Sequence, residues 1–328
     1  MNYNKKNKPV KTLEEQFKHK ERIVFPGGDV EVVDIVPNVQ KFKVPVILGV
    51  GWGGRSNAYK NNVLFLAKTG RRTIIIDAIH GIDYKMTSED DNDLPAAELR
   101  KAVALINVLD NKNINKVDAI GYSEGGIYVT LAALLHPEKF RSLVLVNPGG
   151  MIGKDGEARL TAGFLQDLVK HFIKSIGNKE HLRRFAAFYG GMFKSAISDI
   201  IKAVHEISAI SDSQIQEFLH KLKNKGIGIS IIHSVDDHAF PMDRMKKITK
   251  PKHVDNFYSV KGSHGDFVIQ AERYTAIVER ALNDLENKRR SIKRFVPTKI
   301  FFTVLVITLI LMLFLETYLF LVFISYIN

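Results

Sequence analysis

Short apolar runs alternate with amphipathic helical stretches between residues 44 and 150, and this alternation constrains the fold more than any other feature. The apolar runs are nearly continuous, which is typical of strands covered on both faces of a parallel sheet. The pattern predicts an α/β fold with a doubly wound, mostly parallel sheet. Over the whole chain, the predicted strands are 30–36, 44–49, 73–77, 116–122, 142–146, 227–233 and 256–260. The helices predicted between and after these strands, apart from the stretch 151–225, are 57–67, 94–109, 125–135 and 267–286.

The alternation stops at Met151 and resumes at Ile227. The stretch between them has helical periodicity and no strand pattern, with helices expected at 160–176, 179–190, 194–207 and 212–224. A helical insertion between two parts of a parallel sheet predicts a cap over the strand ends. We therefore expect an α-helical cap at 151–225 between two parts of the core, 30–150 and 226–287.

The composition limits the chemistry that the chain can perform. The 328 residues include no cysteine, which excludes disulfides, thiolate metal sites and a cysteine nucleophile. The net charge of +12 comes largely from the ends: residues 1–22 carry seven bases against three acids, and 288–299 carry six bases and no acid. We expect 1–29 to be a polar N-terminal segment, loose as far as residue 22. Nothing places stacking aromatics on a basic face, so no nucleic-acid partner is expected.

The C-terminal segment 300–328 is almost wholly apolar. Its first sixteen residues, Ile300–Leu315, contain no charge and would span about 24 Å as a helix, whereas the full run exceeds the roughly 30 Å of a bilayer core. The segment predicts one C-terminal transmembrane helix, in which Glu316 would be the only acid. The alternative is a buried helix packed on the domain, for which a polar face would be expected.

A basic linker, 288–299, precedes this segment, and no charged residue follows Glu316. The positive-inside bias then keeps the main domain on the cytoplasmic side of the membrane. The arrangement resembles a tail-anchored membrane protein. Because the helix 267–286 is expected to run from the carboxyl ends of the strands to the opposite edge, we expect the tether to leave opposite the cap, with the cap facing the cytosol.

Gly121-Tyr122-Ser123-Glu124-Gly125 lies between a predicted strand and a predicted helix. Such a sharp strand–turn–helix connection requires small residues around it, here Gly121 and Gly125, and it exposes the serine hydroxyl at the end of the sheet. The adjacent helix N-terminus favours developing negative charge. The pattern indicates a nucleophilic Ser123, although a glycine-rich connection with an incidental serine is the alternative.

A second glycine-rich loop, Val50-Gly51-Trp52-Gly53-Gly54, follows the strand 44–49. An oxyanion hole requires two N–H groups directed at the tetrahedral oxygen. Trp52 can supply one from this loop, and Glu124, the residue after the nucleophile, the other. A loop of this kind can also bind phosphate, but it lacks the Lys-Ser/Thr of a P-loop.

An acid and a histidine follow the last two predicted strands. Asp236 and Asp237 come directly after the strand 227–233, and His264 follows the strand 256–260. Either aspartate could orient an imidazole, and a surface turn is the alternative for the pair. The order Ser, Asp, His, each after a separate strand, is the order that a triad on this type of sheet requires.

Together these residues resemble the α/β-hydrolase superfamily over about residues 30–288. The resemblance implies Ser123 as nucleophile, Asp237 as acid and His264 as base, with Asp237 preferred to Asp236 because the family's acid stands four residues before a proline, here Pro241. Two positions depart from the family: Val50 stands where the family often has His, and Glu124 where Met or Gln is usual. We expect the Glu124 side chain to point away from the site.

The sequence thus predicts a membrane-anchored serine hydrolase that cleaves a carboxylic ester through an acyl-enzyme. It implies no cofactor and no metal. The expected partners are a small-molecule or lipid ester and the bilayer. An acyltransferase or peroxidase-like member of the same fold, or a membrane-tethered scaffold without catalysis, remains open.

Overall fold

The computed structural model describes residues 11–26, 28–80, 95–153, 155–249 and 253–291, together with 306, 307 and 310. The chain forms two compact units, Met1–Leu282 and Asn283–Asn328. The first contains the sheet, the cap and all the residues of the predicted site.

An eight-stranded sheet with the order β1-β2-β4-β3-β5-β6-β7-β8 forms the centre of this unit. The pairs β1·β2 and β2·β4 are antiparallel, and every other pair is parallel. All residues of β3 and β5 are buried, which explains their unbroken apolar runs. The predicted α/β class and parallel sheet are confirmed. The strands are β1 Glu21–Phe25, β2 Gly28–Ile35, β3 Val46–Gly49, β4 Thr73–His80, β5 Val117–Tyr122, β6 Phe140–Val146, β7 Gly228–Ser234 and β8 Asn256–Val260.

Helices cover both faces of the sheet and the carboxyl ends of its strands. They are α1 Leu13–Lys18, α2 Lys60–Lys68, α3 Ala96–Asn111, α4 Glu124–Leu135, α5 Glu157–Ser175, α6 Lys179–Ser198, α7 Ile200–Asp212, α8 Gln216–Asn224, α9 Met242–Ile248, α10 Asp266–Ile269 and α11 271–291. Short 3₁₀ turns occupy Ser56–Tyr59 and Pro137–Lys139.

The N-terminal segment was expected to be loose up to residue 22, and this was wrong for the residues of α1 and for the first two residues of β1. Thr12 and Glu15 form a capping box at the start of α1, and Phe17 on that helix is buried. In β1 the alternate residues Ile23 and Phe25 face the core. The apolar run of this strand is only three residues long, Ile23–Phe25, and it follows a strongly basic segment, so the sequence did not indicate a strand here.

The cap contains four helices, as expected, but several boundaries differ. The helix expected at 194–207 extends over Ile200–Asp212, and the one expected at 212–224 begins at Gln216. A break was predicted after residue 190, whereas α6 continues through Gly190 and Gly191 to Ser198. The helix instead ends at Asp199, whose carboxylate accepts a hydrogen bond from the Lys202 N–H and so caps α7.

The C-terminal helix also differs from the prediction. The helix expected at 267–286 is divided at Gln270 into α10 and α11, and α11 includes the first four residues of the predicted linker 288–299. Among the described residues, no helix is long and apolar enough to cross a membrane. The predicted anchor 300–328 lies outside the described residues except at 306, 307 and 310.

Candidate active site

Ser123 occupies the sharp turn between β5 and α4. Its backbone has φ 55° and ψ −123°, a conformation that non-glycine residues rarely adopt. The Ser123 N–H donates to the Val146 carbonyl at 3.0 Å, and its own carbonyl accepts from Gly126 and Gly149. These three bonds hold the strained residue in place at the carboxyl end of the sheet.

The two glycines that flank Ser123 have no room for a side chain. A Cβ at Gly125 would lie 2.2 Å from the Gly49 carbonyl oxygen, and one at Gly121 would lie 2.7 Å from the Gly125 carbonyl oxygen. The Gly-x-Ser-x-Gly spacing is therefore a steric requirement of this turn.

His264 and Asp237 complete a hydrogen-bonded chain that begins at Ser123. The His264 Nε2 lies 2.9 Å from the Ser123 Oγ, and the His264 Nδ1 lies 2.8 Å from the Asp237 Oδ2. The other Asp237 oxygen accepts from the Phe240 N–H at 2.8 Å. All three side chains are buried.

Asp236, the alternative acid, lies elsewhere. Its side chain is 46% exposed and its carboxylate is 4.0 Å from the Lys170 ammonium. The structure thus brings Asp237, and not Asp236, to the imidazole.

The backbone and ring of His264 are fixed by groups that the sequence analysis did not identify. The Tyr122 hydroxyl and the Asn147 amide both donate to the His264 carbonyl, at 2.9 and 3.0 Å. The Tyr122 ring stacks on the imidazole at 5.4 Å, and the rings of Phe164 and Phe240 meet it edge-on. Tyr122 belongs to the serine motif, so its position could have drawn attention, but no local pattern marks Asn147.

The charges around His264 set its proton affinity. Burial by itself would lower the pKa of His264, but the negative charge and hydrogen bond of Asp237, with the charge of Asp167, raise that pKa above its ordinary value. Burial opposes ionisation of Asp237 as well, and the facing His264 nevertheless lowers the pKa of that carboxyl. The pair therefore favours a carboxylate beside an imidazole that readily accepts a proton.

The glycine-rich loop after β3 lies against the serine. A Cβ at Gly51 would be 3.0 Å from the Ser123 Cβ, and the Tyr59 hydroxyl accepts from the Gly51 N–H at 3.1 Å. Among the described residues, neither the Trp52 nor the Glu124 backbone N–H has a hydrogen-bond partner. Both donors therefore remain available to a bound oxygen atom.

The Glu124 carboxylate is occupied by a neighbouring cation. It pairs with the Lys101 ammonium, which also lies 3.2 Å from Glu206 of α7. Burial would lower the pKa of Lys101, but the surrounding carboxylates raise it well above its ordinary value. Because Lys101 compensates the charge of the Glu124 carboxylate, a glutamate is tolerated directly after Ser123.

The cap contributes three further contacts, all from α5. Phe164 packs on His264, Asp167 accepts from the His238 N–H and pairs with its Nδ1 at 2.7 Å, and the His171 Nε2 lies 3.0 Å from the Ser263 Oγ. The sequence analysis missed these residues. Their signal is the spacing of four residues between Asp167 and His171, which places two polar groups on one helix face.

Among the described residues, no group of His, Asp or Glu side chains is arranged to hold a metal ion. The site itself brings together a hydroxyl, an imidazole and a carboxylate in series.

Comparison with known proteins gives the family. Residues 44–253 match the model of the alpha/beta hydrolase fold family, which is more than half of the chain. The chain belongs to the α/β-hydrolase family.

Its relatives are distant. The chain is 35% identical over 103 residues to a 2-hydroxy-6-oxononadienedioate/2-hydroxy-6-oxononatrienedioate hydrolase of Comamonas testosteroni, covering 31% of this chain and 34% of that protein. It is 19% identical over 293 residues to an abhydrolase domain-containing protein of Caenorhabditis elegans, covering 80% of this chain and 65% of that one. The chain thus spans less than two thirds of the length of either relative.

Among solved structures, the enol-lactonase of Burkholderia xenovorans LB400 superposes with a TM-score of 0.60 at 14% identity. The alignment covers 80% of this chain and all of that one. At this identity the likeness shows the shared fold.

Proposed function

We propose that this protein is a serine hydrolase that cleaves a carboxylic ester through an acyl-enzyme. The observation that carries the proposal is the continuous chain from Ser123 Oγ through both nitrogens of His264 to Asp237, with distances of 2.9 and 2.8 Å. These distances allow a proton to move from the hydroxyl to the imidazole as the oxygen attacks a carbonyl.

In the proposed mechanism, the Ser123 Oγ attacks the carbonyl carbon while His264 Nε2 takes the hydroxyl proton. The Trp52 and Glu124 N–H groups stabilise the resulting oxyanion. The tetrahedral intermediate collapses, the alcohol leaves with the proton from His264, and the acyl group remains on Ser123. His264 then takes a proton from water, whose oxygen attacks the acyl carbon. The bond between the acyl carbon and the Ser123 Oγ breaks, His264 returns the proton to that oxygen, and the acid is released. Asp237 fixes the imidazole tautomer throughout.

The reaction test uses short p-nitrophenyl esters and the Ser123→Ala variant of the full chain. The proposal expects turnover by the natural chain and its loss in the variant, and it fails if the variant retains the natural rate. Product analysis with and without an alcohol acceptor distinguishes hydrolysis from acyl transfer, because a transferase forms a new ester in proportion to the added alcohol.

The same proposal includes attachment to a membrane through 300–328. Its support is the sequence alone: a long apolar run follows six bases at 288–299, which favours one crossing with the hydrolase domain on the cytoplasmic side. The test is extraction of cell membranes at alkaline pH. The proposal expects the full chain to stay with the lipid and a chain ending before residue 300 to be released, and equal release of both chains contradicts it.

A further inference from the structure

Helix α5 of the cap is amphipathic, but it buries a stripe of small and polar residues and exposes apolar ones. Its buried stripe contains small or polar residues at spacings of three and four, Gly163, Asp167, His171 and Ser175, after the apolar Leu160. Several of its large apolar residues point outward, with Val169 53% and Ile173 62% exposed, and Ile176, directly after the helix, is 66% exposed. A helix of a soluble domain usually buries its apolar stripe, so this outward stripe requires a partner.

The next two helices continue the pattern. On α6, Phe193 and Ile197 stand one turn apart and are both exposed, and on α7, Ile200, Ile201 and Val204 are exposed from the first turn onward. We call the outward apolar side chains of α5, α6 and α7 between residues 165 and 204 the apolar cap face. Large exposed apolar patches on a surface typically mark an interaction site.

Basic residues are interspersed with this face. Between residues 165 and 204 the chain has seven Lys and Arg against three Asp and Glu. Asp167 is buried against His238. Glu180 is paired with Arg183 and Arg184, and Arg184 also pairs with Glu272, so the bases of this segment outside ion pairs between described residues are its lysines other than Lys170. Apolar side chains among exposed bases are the composition that binds the interface of a membrane with anionic lipids.

We propose that the apolar cap face docks onto the surface of an anionic bilayer and that the site below it takes long-chain acyl esters from that bilayer. The choice of substrate class rests on the proposed hydrolase function, whereas the docking itself does not.

Charge favours a bilayer over the two other occupants that the chain could supply. The apolar segment 300–328 contains only one acid, Glu316, and follows six bases, so it offers no negative surface to the basic cap. A second copy would bring the same net positive face against itself, which is unfavourable. Anionic headgroups complement the bases while the acyl region receives the apolar side chains.

The position of α5 connects this docking to catalysis. The helix that carries Val169 and Ile173 outward also carries Phe164 onto His264 and Asp167 onto His238. A lipid contact at Val169 or Ile173 is therefore about 8–14 Å along the helix from Phe164, and about one helix diameter across it. This proposal places the cap at the bilayer, whereas the tether alone led to the expectation that the cap faces the cytosol.

The absence of cysteine from the sequence allows a clean test. Single cysteines are introduced as Ile173→Cys and Ile197→Cys, with Val24→Cys as control, because Val24 is an equally exposed apolar residue, at 73%, on β1. Each full-length variant carries an environment-sensitive fluorophore and is reconstituted into vesicles of phosphatidylcholine with one quarter phosphatidylglycerol. Nitroxide-labelled lipid is then added as a quencher.

The proposal expects nitroxide lipid to reduce the emission at both cap positions by about twofold or more and to leave Val24 nearly unchanged, since interfacial residues lie about 5–10 Å into the boundary. Equal emission with and without the quencher at the cap positions overturns it. So does quenching that is as strong at Val24, or a cap signal that depends on protein concentration without vesicles, which would indicate a second copy. Emission already shifted to the blue in lipid-free detergent, and unchanged by vesicles, would indicate coverage by the chain's own 300–328 segment and also overturns it.

A triple variant, Ile173→Ser, Ile176→Ser and Ile197→Ser, separates docking from the hydrolase function. With the cap face weakened, turnover of a long-chain ester in vesicles should fall about tenfold or more, while turnover of a soluble short ester stays unchanged. Parallel loss on both substrates contradicts the docking. If natural chain shows cap quenching but no ester turnover, the docking stands and the hydrolase function fails; if it turns over esters without cap quenching, the docking alone fails.

Discussion

Helix α4 borders Ser123 and helix α5 borders His264, but the two helices are built in opposite ways. Nearly all of α4 is buried, and its first residues hold Ser123 against the sheet. Helix α5 buries polar groups toward His264 and exposes several of its large apolar side chains. The core half of the site is thus specified by buried contacts within the molecule, whereas the cap half combines such contacts with an exposed apolar surface.

This difference separates residues whose positions are fixed by backbone geometry from residues whose contacts can change. The strand ends place Ser123, Asp237 and His264 within hydrogen-bond distance through backbone geometry that tolerates no added atom at Gly125. The inner face of α5 contacts the core through a few polar bonds, such as Asp167 to His238 at 2.7 Å. Changes in the core half should therefore abolish activity, whereas changes in the cap half should tune it.

The largest effect is expected at the core end of the comparison. The Ser123→Ala variant should lose about 10⁴-fold or more in kcat toward a short ester, because it removes the nucleophile and leaves only binding and the oxyanion donors. Ser263→Ala is the matched control. The Ser263 hydroxyl is buried in the same loop as His264, but it is hydrogen-bonded to His171 and not to His264. A Ser263→Ala variant as inactive as Ser123→Ala would break the assignment.

The second effect tests which aspartate serves. Asp237→Asn should lower kcat by about 10³–10⁴-fold because the amide cannot hold the tautomer or stabilise the imidazolium. Asp236→Asn, at an exposed carboxylate, should stay within about twofold, as surface changes do. Steady-state kinetics on one short ester checks both, and comparable losses would exclude the triad as described.

Substitution of one glycine in each half compares how the core and the cap tolerate an added methyl group, read as the change in the free energy of unfolding. Gly125→Ala should lower the free energy of unfolding by about 2–4 kcal/mol because its Cβ would clash with the Gly49 carbonyl. Gly190→Ala, within α6 and with open space around it, should instead raise it by about 0.5–1 kcal/mol. Urea unfolding measures both, and a similar change in the two variants would remove the contrast between core and cap.

The smallest effect concerns pH. Asp167 raises the pKa of His264 by its charge, so Asp167→Asn should lower that pKa while an amide oxygen keeps a bond to His238. The base form of His264 then persists to lower pH, and the acid limb of the kcat/KM profile should move to lower pH. A limb that stays in place, or moves to higher pH, would show that α5 has no electrostatic influence on the base.

The contrast between the core half and the cap half of the site also explains how much of it the sequence predicts. Ser123, Asp237 and His264 each follow a buried strand, and because parallel strands end at one edge, their order along the chain suffices to bring them together. The choice between Asp236 and Asp237 needed an outside pattern, the proline at 241, because both follow the same strand.

The cap could be predicted only in part. Helical periodicity gave its four helices, but periodicity shows that a helix has two faces and not which one is inside. On α5 the usual rule would have buried Val169 and Ile173, and the structure exposes them. Tyr122 and Asn147, which hold the His264 carbonyl, depend on contacts across more than 100 residues of sequence, which no local pattern encodes.

Labelling with a fluorophosphonate tests the central claim most directly, because the reagent reacts with a serine only where a base activates it and an oxyanion site receives the phosphonyl oxygen. The full chain in membranes is treated with the reagent, digested and mapped by mass spectrometry, beside His264→Ala and Ser263→Ala variants. The account predicts a single modified residue, Ser123, with labelling lost in His264→Ala and kept in Ser263→Ala. Modification at another serine, or labelling of Ser123 that persists without His264, would contradict it.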